Sequence, residues 1–525
     1  MTSVKHRLLP YLLIAAVALS TAGRFAGAAA QPTLSWVLAR HRSAIGDAGN
    51  VRLASSVHIV YTLAAGGSTG ILERYVTPKR SRVEMTLGSL HQVTVDDGWE
   101  GWQQDSSGYV RLVRGPELGE DRTDGISLNP FSDALSGDVH ASLHPGRDAS
   151  THDYVIDATP RGGKMQTVYV DPRTFLIAQV VFDSGGTTNS VSIQDYRRVE
   201  GVMTPSRLSM RLSGTVMLAT LRSAEYGRPI DLALFRKPAP PQDFEFLHPS
   251  PATIPFDAQN RDVVVPVTIG GHEFRFLLDS GANDSFITAD AAKAAGLSTK
   301  DTLGASGYGG TAKGRVTARS TIEIGGVVRL KGQILFVVDD PAFAASLQQS
   351  GEDGLLGYDL FERLIVRIDY PSRRLTLFAP EDGPRGTGAS MAVPITLENR
   401  TPTVDAAVDG RKSGRFLVDT GDEGDLELYT RYARANNLIG KPSSPGATVR
   451  NGVGIGGAFH EVLTRGHRIA IGGIDVTGVK IGTAQGGGLS DAADGAGIIG
   501  AGILSRYIVT FDYPDGQLTL ARPVP

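Results

Sequence analysis

Arg275-Phe-Leu-Leu-Asp-Ser-Gly281 returns 140 residues later as Arg415-Phe-Leu-Val-Asp-Thr-Gly421. Downstream, Gly354-Leu-Leu-Gly-Tyr-Asp-Leu-Phe-Glu-Arg-Leu-Ile-Val-Arg-Ile-Asp-Tyr-Pro371 realigns after 143 residues with Gly497-Ile-Ile-Gly-Ala-Gly-Ile-Leu-Ser-Arg-Tyr-Ile-Val-Thr-Phe-Asp-Tyr-Pro514. Leu-Thr-Leu follows in both, at 375–377 and 518–520. Three smaller anchors keep the same order: Ile254-Pro255 with Val393-Pro394, Asn260-Arg261 with Asn399-Arg400, and Ile324-Gly-Gly326 with Ile471-Gly-Gly473. Matches in one order at nearly one offset imply a tandem duplication. A unit of roughly 130 residues is too long for a solenoid repeat, so each copy is expected to be a lobe.

Around this pair the chain divides further. Lys5, His6 and Arg7 precede an apolar run from Leu8 to Leu19 broken by Pro10, and Ala28-Ala29-Ala30 offers a cleavage site before Gln31. Residues 1–30 read as a secretory signal peptide. No later stretch reaches 18 apolar residues, so no membrane anchor is expected after cleavage. Residues 31–237 read as a β-rich domain, opened by helical periodicity over 34–46. Its strands include Val57 to Leu63, Thr167 to Val170, Leu176 to Phe182 and Val191 to Tyr196, bounded by turns such as Asp183-Ser-Gly-Gly186. The spacing predicts a long antiparallel meander. Its arrangement resembles the half-barrel of bacterial lipoprotein carriers, without a shared motif. Trp99 and Trp102 are read as packing residues. Prolines 238, 240, 241, 249, 251 and 255 predict a connector over 238–253. The lobes are expected at 254–380 and 391–525, separated by a Gly/Pro-rich linker at 381–390.

Composition narrows the chemistry. Of 525 residues, Lys and Arg number 52 and Asp and Glu 55, a formal charge of -3, so neither nucleic acid nor a polybasic membrane surface is an expected partner. The 64 glycines point to many tight turns and a mainly β fold. Cysteine is absent, which removes disulfides, thiolate nucleophiles, Cys-type metal sites and a lipoprotein anchor. The expected location is the periplasm or the external medium.

The repeated Asp loop fits what remains. A strand that ends in Asp, a hydroxyl residue and Gly presents one carboxylate at a tight turn. One such tripeptide means little, and Asp183-Ser184-Gly185 reads as a hairpin turn. Two copies can meet about a pseudo-twofold axis. Carboxylates about 3 Å apart then share one proton. The ionised member deprotonates a water, and the protonated one polarises a carbonyl.

These residues resemble the aspartic proteases, specifically bacterial proteins with tandem retropepsin-like domains. The resemblance covers residues 254–525 and implies two acid-protease β-barrel lobes. It makes Asp279 and Asp419 the catalytic dyad, held by Ser280, Gly281, Thr420 and Gly421. Leu355, Leu356 and Gly357, with Ile498, Ile499 and Gly500, would pack beside the two Asp loops. A Gly-rich flap is implied at Gly304 to Gly310, with Tyr308, Gly309 and Gly310 at its tip, and Gly452 to Gly457 is its counterpart. The implied activity is endopeptidase cleavage of a peptide or protein substrate with no metal or other cofactor. An intramolecular dyad in a monomer is favoured, with a homodimer as the other arrangement. The second copy departs from the pattern at Asp422-Glu423. Acids there disfavour ionisation of Asp419, which leaves open a pair working at higher pH, or a non-catalytic peptide- or lipid-binding protein. Gly452-x-Gly454-x-x-Gly457 imitates a dinucleotide fingerprint without the βαβ unit, and His460-Glu461 lacks the second histidine of a zinc helix. Asp369 and Asp512, each before Tyr-Pro, read as structural.

Overall fold

The computed structural model describes residues 32–46, 56–126, 139–160, 162–184, 187–212, 215–239, 241–257, 261–307, 310–384, 390–411, 413–484 and 495–523. The expected signal peptide at 1–30 and the flap-tip residues Tyr308 and Gly309 lie outside them. The fold is mainly β.

Helix Leu34–Ile45 opens the first described segment, with Thr33 Oγ1 accepting the Trp36 amide at 3.2 Å as its N-cap. A 13-stranded sheet follows. Neighbours in sequence pair as antiparallel hairpins except Val110–Val113 and Val139–Arg147, which form the two edges, and strand Val57–Ala65 also pairs with Thr215–Tyr226 to join the two ends of the meander. The helix buries Val37 and Ile45 in the core of this sheet, which Val316 and Ile334 of the next domain also enter. Trp102 packs as expected, with its indole N–H on the Phe235 carbonyl at 3.0 Å. Trp99 does not: it stands 90% exposed in the turn before strand Gly101–Gln104. Its neighbour Asp97 bends the backbone there by accepting the Trp99 and Glu100 amides, so the indole points away from the sheet.

The expected connector at 238–253 is instead part of the first lobe. Strand Phe244–Phe246 pairs with Val328–Gln333, and Ala252–Pro255 pairs with Arg374–Phe378. Both are terminal strands of their sheets, where a proline's missing N–H costs no ladder bond. Of the second expected linker, Pro380–Asp382 forms a 3-10 turn, residues 385–389 lie outside the described set, and Ser390 already belongs to strand Ser390–Pro394.

Two sheets of ten and eight strands form the lobes. In the first, His272–Leu278 runs parallel to Gly354–Leu356. In the second, Gly414–Val418 runs parallel to Gly497–Ile499. A six-stranded sheet underlies both, and at its centre Ile365–Asp369 pairs antiparallel with Ile508–Asp512. Arg367 faces Thr510, the residue at the same place in the other copy. This local twofold relation turns the ends of the two Asp strands toward each other. Asp369 and Asp512 each accept an amide of the turn that follows, from Ser372 at 3.1 Å and Asp515 at 3.0 Å. One apolar core runs through both lobes. Phe361 crosses the boundary, with its ring 5.2 Å from Phe511 and 5.3 Å from Tyr513. Phe361→Ala is expected to cost about 3–5 kcal/mol, read as a lower denaturant midpoint for the lobes.

Candidate active site

Asp279 and Asp419 begin the loops that leave the two parallel strand pairs. The Asp279 amide donates to Leu356 O at 2.9 Å, and the Asp419 amide to Ile499 O at 3.0 Å. Gly357 and Gly500 follow those apolar pairs. A β-carbon on Gly357 would lie 2.5 Å from Asp284 O, and one on Gly500 would lie 2.4 Å from Gly424 O. Only glycine lets the returning strand pass so close behind the loop.

The hydroxyls of Ser280 and Thr420 bind the loops to each other. Ser280 Oγ donates to Val418 O at 2.8 Å and accepts the Thr420 amide at 3.1 Å. Thr420 Oγ1 donates to Leu278 O at 2.7 Å and accepts the Ser280 amide at 3.0 Å. Both side chains are buried. The exchange brings each aspartate against the opposite glycine: a β-carbon on Gly281 would stand 2.4 Å from Asp419 Cγ, and one on Gly421 2.6 Å from Asp279 Cγ. Within each loop Oδ1 accepts the glycine amide at 2.8 Å. The two carboxyl groups thus face each other closely enough for each to shift the other's ionisation. Burial raises both pKa values, and the charge of Asp279 raises Asp419 further.

Asp422 sits beside this pair. One oxygen accepts the Gly424 amide at 2.9 Å, and the other has no partner among the described residues. Burial, then the Asp419 charge, pushes its pKa up to about 7. In acid it is therefore neutral and adds no second anion. Glu423 is exposed. Two arginines cross between lobes: Arg400 Nη1 donates to Asp284 Oδ1 at 3.0 Å, and Arg261 Nη1 donates to Glu423 O at 3.3 Å. Their signal in the sequence was the repeated Asn-Arg pair, read there only as an alignment anchor. Behind the dyad, the buried hydroxyls of Tyr370 and Tyr513 have no partner among the described residues.

The hairpin of the first lobe comprises Thr299–Gly307 and Gly310–Thr317. In the second lobe, Thr448–Gly454 and Gly457–Ile471 form a longer hairpin whose tip is docked on the first lobe. Ile455 packs against the cluster of Leu277, Ala282, Phe286, Leu347 and Leu355. The Gly456 amide donates to Asp340 Oδ2 at 2.9 Å. Asp340 Oδ1 meanwhile caps helix Pro341–Ser350 through the Ala342 and Phe343 amides at 3.0 and 3.2 Å. The Gly452-x-Gly454-x-x-Gly457 pattern is thus a hairpin tip, with Gly456 and Gly457 at φ of 94° and 128°.

The family model described as Aspartyl protease matches residues 265–360, the segment with the Asp279 loop and Leu355-Leu356-Gly357. This part of the chain is aspartyl protease-like. No curated protein matches the sequence. Among solved structures, the chain is similar to an aspartic proteinase from Irpex lacteus at 18% identity, covering 52% of this chain and 97% of that one with a TM-score of 0.37. It is also similar to a DUF1329 family protein from Desulfovibrio piger at 14% identity, covering 38% and 97% with a TM-score of 0.28.

Two outcomes follow from this geometry. Asp262, Asp284, Glu352 and Asp422 are each pushed up to about 7, first by burial. Their unfolded values lie near 4, so the folded chain binds protons more tightly. Stability should fall as pH rises from about 4 to about 7, and thermal melting at pH 4.5 and 7.5, roughly the ends of that window, measures the sign. Separately, Asp340→Asn keeps an oxygen for the helix cap but loses the acceptor for Gly456. Amide exchange across 448–463 should speed up by roughly 10–150-fold, in line with one lost hydrogen bond to a charged group, while exchange in Pro341–Ser350 changes little.

Proposed function

We propose that the chain is an exported aspartic endopeptidase of the retropepsin-like type, with both lobes supplied by one tandemly duplicated polypeptide. The observation that carries this reading is the facing carboxyl pair of Asp279 and Asp419, each pressed against the glycine of the other loop. Two acids sharing one proton provide a base and an acid at adjacent points. The ionised carboxylate takes a proton from a water as its oxygen attacks the peptide carbonyl. The protonated carboxyl donates to the carbonyl oxygen, giving a tetrahedral diol, and a proton then passes to the leaving nitrogen. Water attacks directly, so no acyl-enzyme forms. The pair titrates as a unit, and loss of its last proton with rising pH ends activity. The raised pKa of Asp422 supports the reading, since a neutral Asp422 leaves the pair in its singly protonated form.

The substrate would be a peptide in extended form, lying between the lobes under the hairpins. The basic and apolar opening of residues 1–30 supports export to the periplasm or beyond. Among the described residues no helix is long and apolar enough to cross a membrane. The interlobe pairing of Ile365–Asp369 with Ile508–Asp512 supports a dyad within one chain.

Asp279→Asn and Asp419→Asn should each lower peptide cleavage by roughly 10²–10⁴-fold, the scale of a lost general acid or base. Circular dichroism should stay unchanged, since Asn keeps the shape and relieves a like-charge contact. A peptide library digested at several acidic pH values provides the assay. Full activity in both variants would reject the dyad.

A further inference from the structure

Arg363 is fully buried where three parts of the chain meet. Its Nε and Nη2 donate to Asp243 Oδ2 at 2.8 and 2.7 Å. Nη2 also donates to Asp105 Oδ2 at 3.2 Å and to Ser107 Oγ. Nη1 donates to Glu362 Oε1 and, at 2.9 Å, to Asp359 O. The guanidinium lies 4.5 Å from the ring centre of Tyr109, whose hydroxyl donates to Glu362 O at 2.9 Å. Asp105, Ser107 and Tyr109 all belong to the turn between strands Gly101–Gln104 and Val110–Val113 of the N-terminal sheet. The oxygens of Asp105, Asp359 and Glu362 approach within 4.8 Å of one another, so Arg363 is the counter-ion that lets them pack.

The same cluster touches the loop that begins at Asp279. Asp359 Oδ2 accepts the Ser285 amide at 2.7 Å, and Ser285 Oγ accepts the Gly357 amide at 3.1 Å. Gly357 is the glycine that passes behind the Asp279 loop. Next to it, the Tyr358 ring lies between two guanidiniums, Arg111 of the N-terminal domain at 5.6 Å and Arg400 of the second lobe at 5.7 Å. Arg111 is in turn held by Glu117 at 2.8 Å. The turn at 105–109 therefore reaches the far end of the Asp279 loop through one arginine and one aspartate.

We propose that the N-terminal domain is a positioning element of the cleft, with Asp105 acting through Arg363 and Asp359 to hold the Asp279 loop in register with Asp419. This rests on the peptidase reading for its catalytic consequence. Asp105 and Ser107 touch neither the dyad nor a substrate; they act through Arg363.

The full-length chain tests it with Asp105→Asn and Ser107→Ala, each alone and combined with Ser285→Ala. Each single variant should lower kcat by about tenfold, with KM within about twofold, and the double variants should be no worse than the poorer single, as expected for residues on one network. Amide exchange in the peptide covering 280–287 should accelerate in both single variants. Ser107→Ala removes no charge and carries the test if Asp105→Asn does not fold. Unchanged exchange at 280–287 overturns the coupling. Faster exchange with wild-type kcat and KM overturns the positioning role, as do multiplicative effects in the double variants. If the unmodified chain cleaves no peptide, the peptidase reading fails separately, and exchange at 280–287 still decides whether the N-terminal domain holds the loop.

Discussion

Two carboxyl groups face each other at the centre of this protein, and both would ionise if water surrounded them. Keeping them together requires a frame that does not yield. The four hydrogen bonds between Ser280, Thr420 and the opposite strands supply it, buried and without slack. Those bonds need the strand ends to face each other, which the six-stranded sheet arranges from below. Gly281 and Gly421 are needed because each opposite carboxyl occupies the space of a side chain. Gly357 and Gly500 are needed because a strand returns directly behind each loop. Most of the glycine that surrounds the site is therefore a consequence of one close contact.

Away from this centre the lobes differ. The first carries the N-terminal domain and a buried arginine cage. The second carries a 15-residue strand whose hairpin crosses to the first. The arginines at 261 and 400 follow the shared frame, yet one meets a carboxylate and the other a backbone carbonyl. Symmetry is kept where the two acids must meet and abandoned where a substrate or another domain would be met.

The sequence made some of this legible because some constraints are local. A glycine behind a loop or a hydroxyl after an aspartate leaves a letter at a fixed place, and repetition made the letters readable. The meander was legible for a similar reason, since each strand pairs with its neighbour and its alternation shows in short windows. Other features depend on partners far apart in the chain. Prolines 249, 251 and 255 suggest a free connector because nothing local shows the edge strands Phe244–Phe246 and Ala252–Pro255 that flank or contain them. Trp99 looks like a core residue until Asp97 turns it outward. Asp422 reads as an extra charge, and only its burial keeps it neutral in acid. Arg363 repeats as Arg506, yet nothing local shows what it meets: its partner Asp105 lies 258 residues earlier.

That separation sets an order of events during synthesis. Strand Val57–Ala65 waits for Thr215–Tyr226 before its sheet is complete, so the N-terminal domain closes only after a long stretch has been made. A chain that emerges N-terminus first therefore presents Asp105 and Ser107 before Arg363, the guanidinium that meets them. In the opposite order, the first lobe would have to bury a guanidinium with part of its countercharge missing. A chain begun after the N-terminal domain would keep Asp243 and Glu362 beside Arg363 but leave this buried arginine without Asp105 and Ser107.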